Sequence, residues 1–166
     1  SISQATTSFT SQNYGAKKPD RLGRIAWCGA ALVVSIGLAM GVLVVTFGRP
    51  LLGIYASDPA VIDWGLTRMK IMTTLCFVGS VGEIFVSGLR GTGNSLFPMF
   101  ASIMCICVFR VIWILTVFAA IPTPEILYWS YPISWAMASI VHFTCFMRHK
   151  RKVVSRMRAE LAAQEE

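Results

Sequence analysis

The chain has 166 residues, of which 55% are hydrophobic and 14% charged, with a net charge of +7 and a mean hydropathy of +0.62. Such a composition excludes a wetted globular domain and points to an integral membrane protein. The positive balance does not imply nucleic acid, because the lysines and arginines sit beside apolar runs, where they meet anionic lipid head groups.

Ser1 to Tyr14 is rich in Ser, Thr and Gln and carries no charge. It reads as the emerging polar end of a span, stopping at Gly15 in a left-handed conformation. With no opening methionine and no signal peptide, the chain reads as truncated. Lys17, Lys18 and Pro19 form a break, and Asp20 starts the next helix with its acid near the positive end of the helix dipole.

The first span is expected over residues 25–47, long enough for a bilayer core that takes about 20 helical residues. Gly37 and Gly41 within it give the small-residue spacing that lets a neighbouring helix approach. Arg49, Pro50 and Gly53 are expected to interrupt the helix. Ser57, Asp58 and Pro59 then supply a start signal, a capping side chain followed by proline in the first turn. The new helix passes Trp64 and Gly65 into a second span, 71–89.

Ser80, Glu83, Ser87 and Arg90 recur there at spacings of three and four, a polar stripe on one face of a membrane helix. A carboxylate near mid-span rarely persists in hydrocarbon unless it serves an ion or substrate path, or a buried ion pair. The turn Gly91 to Ser95 makes a tight hairpin into a third span, 96–120, with Pro98 tolerable near its start. Arg110 lies deep in that span and needs a partner. At 1.5 Å per residue its depth differs from that of Glu83 by about 12 Å, which argues against a direct pair. The fourth span, 126–147, holds Pro132 and places Ser134, Ala138 and His142 on one face. Tyr128, Trp129 and Tyr131 cluster at its outer boundary like an aromatic belt. Residues 148–166 form a basic tail.

Cationic loops are retained in the cytoplasm during insertion. The segment before the first span, the turn after the second and the tail hold 11 lysines and arginines, and the opposite side holds 3. Both ends are therefore expected to face the cytoplasm. All five cysteines fall in predicted spans and read as small apolar filler. No HExxH, nucleophile motif or metal-ligand spacing is present, so an enzyme is not expected and no cofactor is implied.

Two stretches resemble the multidrug and toxic compound extrusion (MATE) transporters: SQNYGAKKPDR, Ser11 to Arg21, containing Gln12, Asn13 and Gly15, and GLRGTGNSLFP, Gly88 to Pro98, containing Arg90, Gly91 and Gly93. The first is similar to the cytoplasmic loop after that family's eighth helix and the second to the turn after its tenth. The resemblance implies an all-α membrane protein whose four spans correspond to helices nine to twelve of a twelve-helix fold. Residues 1–147 would then be part of the C-terminal lobe, lying against the remaining helices of a full-length chain in the inner cell membrane. It further implies antiport, driven by Na+ or H+, that exports organic cations, with Glu83 on the helix that can bind the coupling ion and Ser80 and Ser87 supplying oxygens. Asn94 stands where many relatives have an acidic residue, and Val111 where proline is frequent. Such a piece alone is expected to be inactive. A lipid-linked oligosaccharide flippase of the same superfamily is the alternative, and it would need a distinctly cationic cavity, for which only Arg90 and Arg110 are available.

Overall fold

The computed structural model describes residues 1–55 and 57–165. Among them the chain forms five helices: α1 (Ile2–Gly15), α2 (Pro19–Gly53), α3 (Pro59–Gly91), α4 (Leu96–Phe118) and α5 (Pro124–Glu165). Three of these, α2, α3 and α4, are long and apolar enough to cross a membrane. The chain is thus an all-α membrane protein. The fourth expected span, 126–147, is the first half of the 42-residue α5. Its serines, tyrosines and His142 leave it less apolar than the other three, and no break separates it from the basic tail, of which Glu166 lies outside the described residues.

Each helix boundary has a local cause. The Asp58 side chain accepts a hydrogen bond from the Ala60 amide at 2.9 Å, with Pro59 in the first turn, as the start signal foretold. Two expectations are corrected. Gly15 does not adopt the left-handed conformation. That falls to Lys17, at φ 51°, where the Lys18 amide donates to the Asn13 carbonyl at 3.0 Å. Pro19 keeps Lys18 out of helical backbone, at φ −108° and ψ 77°, and the reversal falls on Lys17, two residues after Gly15. Nor do Arg49 and Pro50 interrupt α2, which continues through Pro50 to Gly53. Proline removes a single backbone bond, and the packing of Gly48 on Leu66 and Met69 of α3 holds that stretch in place.

α3 is the central helix, flanked by α1, α2 and α5, and α4 packs mainly on α5. Gly37 faces Phe77 and Gly41 faces the Thr73 carbonyl, so the small-residue pair of α2 serves close packing against α3. On the opposite side of α3, Gly79 and Gly82 admit Trp135 and Ser139 of α5, and the Ser139 hydroxyl donates to the Val78 carbonyl at 2.6 Å. Ala26, Phe85, Leu89 and Phe146 form the core between α2, α3 and α5, with Trp27 and Phe143 edge-on to Phe85. A second cluster, Leu22 with Val153 and Met157, lies where the tail part of α5 folds against the start of α2. If that end is in water, burying such a side chain fully contributes about 1.5–3 kcal/mol.

Candidate functional site

α3 carries the polar stripe, and the structure divides it. Ser80 and Glu83 lie with Ile84 on a groove of about 280 Å³ whose other walls are the first residues of α1 and Val33, Ile36 and Gly37 of α2. Ser87 is covered by α1, only 1% exposed, and its hydroxyl donates to the Glu83 backbone carbonyl at 2.8 Å. Its own carbonyl accepts from the Thr7 hydroxyl at 3.3 Å. Helical angle puts these residues on one side of α3, but α1 crosses that side beside Ser87 and leaves Ser80 and Glu83 open.

Arg90 reaches back along the helix, and its Nη1 donates to Glu83 Oε1 at 3.2 Å. Both side chains are 48% exposed and the contact is a single hydrogen bond rather than a two-pronged clamp. The carboxylate thus has one charged partner, held by a single hydrogen bond.

Arg110 stands apart from this groove. Its guanidinium lies over the Tyr131 ring, 4.1 Å from the centroid, and its Nε donates to the Ser134 hydroxyl at 3.3 Å. Below it, Ser102 of α4 and the His142 Nε2 of α5 are 3.2 Å apart. The face Ser134, Ala138 and His142 is buried against α4. Two π-helical stretches, Ile103–Val108 and Ile114–Phe118, interrupt α4. Six residues turned less tightly between Ser102 and Arg110 bring both onto the side facing α5, where regular α-helix would set them about 80° apart. Tyr128 and Tyr131 thus each meet an arginine, Arg68 and Arg110, while Trp129 is exposed. Sequence reasoning missed both cation–π pairings, because Arg68 on α3 and Arg110 on α4 each meet a tyrosine of α5 and no spacing within one helix signals a contact between two.

The turn motif packs on α1 just ahead of the other motif segment. Gly91 lies against Thr10 and the Thr7 carbonyl of α1, one residue before the Ser11–Arg21 segment, and a side chain at Gly91 would collide with both. Gly93 takes φ 85°, the left-handed turn that lets the Asn94 amide return to the Leu89 carbonyl at 3.0 Å. Pro98 is fully buried at the start of α4. Gln12 and Asn13 bond back into their own helix, to the Ser8 hydroxyl and the Phe9 carbonyl, and Gly15 has open space around it.

Residues 1–116 match the family model described as MatE. A curated relative, the Probable multidrug resistance protein NorM of Thermotoga maritima, is 28% identical over 105 residues, covering 63% of this chain and 23% of its own length. The chain therefore spans about a quarter of the relative it matches.

Proposed function

The chain belongs to the MatE family of membrane transporters, and from that premise we propose that it supplies the exchange site of a multidrug efflux antiporter in the inner cell membrane, with both chain ends in the cytoplasm. The observation that carries this reading is the Glu83 carboxylate, half exposed on the groove between α1, α2 and α3 and paired with Arg90 through a single hydrogen bond. Na+ or H+ and an organic cation are alternative ways of satisfying one negative charge in a low dielectric. Export follows when each binds the inward-facing and outward-facing states with different affinity.

Glu83 is the exchange group and Ser80, beside it on the groove, the neighbouring oxygen donor. Ser87 acts through the backbone, pinning α3 to α1. The relative's printed name, a probable multidrug resistance protein, supports drugs as the cargo. The flippase alternative draws no support from Arg110, which is turned away from the groove onto Tyr131 and Ser134.

The test is Glu83→Gln in the full-length transporter, reconstituted in vesicles with an imposed Na+ or H+ gradient. Gradient-driven efflux of a fluorescent organic cation is expected to fall at least tenfold while membrane insertion stays unchanged. Undiminished efflux removes Glu83 from the mechanism.

A further inference from the structure

A second groove, which shares Ile2 with the lining of the Glu83 groove, runs between α1 and α2. It has a volume of about 520 Å³, within the range of small-ligand sites. On α2 its lining residues recur at helical spacing from Arg21 and Arg24 to Leu32, and on the antiparallel α1 from Asn13 back to Ile2. The groove thus has two chemically different ends. At one, Arg21, Arg24 and Asn13 converge. At the other the walls are Phe9, Ala5 and Ile2 facing Ile25, Cys28 and Leu32. The twelve residues from Arg21 to Leu32 span about 16 Å, close to half of the roughly 30 Å hydrocarbon thickness, that is, one leaflet.

Neither arginine has a carboxylate partner among the described residues. The nearest acid in sequence, Asp20, is taken by Arg158 at 2.7 Å, and the other ion pairs are Lys17–Glu160, Arg49–Asp63 and Arg90–Glu83. Asn13 spends its amide nitrogen on the Phe9 carbonyl at 2.8 Å. Gly29 keeps the floor thin, because a side chain there would strike the Thr6 hydroxyl.

We propose that this groove binds one anionic phospholipid of the cytoplasmic leaflet, its phosphate on Arg21 and Arg24 and an acyl chain along Ile25, Cys28 and Leu32. A guanidinium pair at a helix mouth matches phosphate in charge and in donor geometry, and basic pockets between membrane helices on the cytoplasmic side suit anionic head groups. The apolar wall selects a lipid over a free phosphate, because only a lipid fills it. The inference rests on the cytoplasmic orientation of this end and is independent of how, or whether, Glu83 couples export.

The experiment is native mass spectrometry of the full-length protein in detergent with phosphatidylglycerol or phosphatidylcholine. The expected result is one retained phosphatidylglycerol, bound at least tenfold more tightly than phosphatidylcholine. Arg21→Gln with Arg24→Gln should reduce that retention about tenfold. Cys28→Phe, which fills the groove and leaves both arginines, should reduce it comparably, and millimolar inorganic phosphate should fail to displace the lipid. Equal retention of the two lipids, retention unchanged in the double variant, retention unchanged in Cys28→Phe, or displacement by phosphate alone each overturns the proposal.

Discussion

Glu83 and Arg90 stand two helical turns apart on α3, and their side chains meet at 3.2 Å along its exposed side. Two turns are about 10.5 Å of helix, so the arginine lies nearly flat along the surface to close the gap. A partner held so far from its own backbone is easily exchanged. Arg90→Gln in the full-length protein should leave Glu83 without its fixed counter-charge and raise the affinity for a competing monovalent organic cation about three- to tenfold, measured by equilibrium binding. Arg90→Lys should stay near the parent. An unchanged affinity in Arg90→Gln would show that the pair does not compete with the ligand.

The close approach of α3 and α5 depends on Gly82, where an added side chain would press on both the hydroxyl and the backbone of Ser139. Gly82→Val should lower stability by about 1–3 kcal/mol, the usual cost of overpacking a tight contact. The readout is the thermal midpoint in detergent, and Gly15→Ala, with open space around it, is the control expected to leave that midpoint nearly unchanged.

Lys17 sits in the left-handed region where glycine would carry no steric cost. Lys17→Gly should stabilise the α1–α2 turn by up to about 1 kcal/mol. The exposed ion pair of Lys17 with Glu160, 3.4 Å long, offsets little of that gain. A drop in the thermal midpoint would mean that this ion pair outweighs the backbone strain.

His149 on the tail part of α5 shares a hydrogen bond of 3.0 Å with the Thr92 hydroxyl at the end of α3. Burial, and then the nearby charges of Lys152 and Arg156, push its pKa below 6.5. The unfolded chain therefore takes up the proton first as the medium is acidified. The contribution of neutral His149 is fully present above about pH 6.5 and is lost as pH falls from there through the lower value of the folded state. Thermal midpoints measured between pH 7.5 and 5.5 should decline on acidification, and less steeply in His149→Gln. Parallel declines would remove His149 as a contributor.

Much of this architecture is written in local residue order. The Asp58–Pro59 cap and the Gly91–Ser95 hairpin depend on neighbours within a turn or two, and the four-residue spacing of Gly37 and Gly41 marks a packing face, so the amino-acid string displays them directly. The polar stripe on α3 is equally visible as a periodicity, yet its division into an open Glu83 and a covered Ser87 depends on where α1 crosses, which no spacing within α3 encodes. Arg110 shows the same limit, because its partner Tyr131 is on another helix and α4 leaves regular winding on the way. Gly15 and Pro50 are cases in which a strong single-residue preference yields to its surroundings: Pro19 moves the reversal to Lys17, and contacts with α3 carry α2 past Pro50.

The long α5 makes one continuous rod from Pro124 to Glu165, about 63 Å in length. A lever that size magnifies small movements. Tilting it by about 5° around Pro124 would carry its far tip some 5 Å, enough to pull Arg158 off Asp20 and Glu160 off Lys17. A tilt of α5 about Pro124 would therefore act on the α1–α2 turn, where those two ion pairs lie.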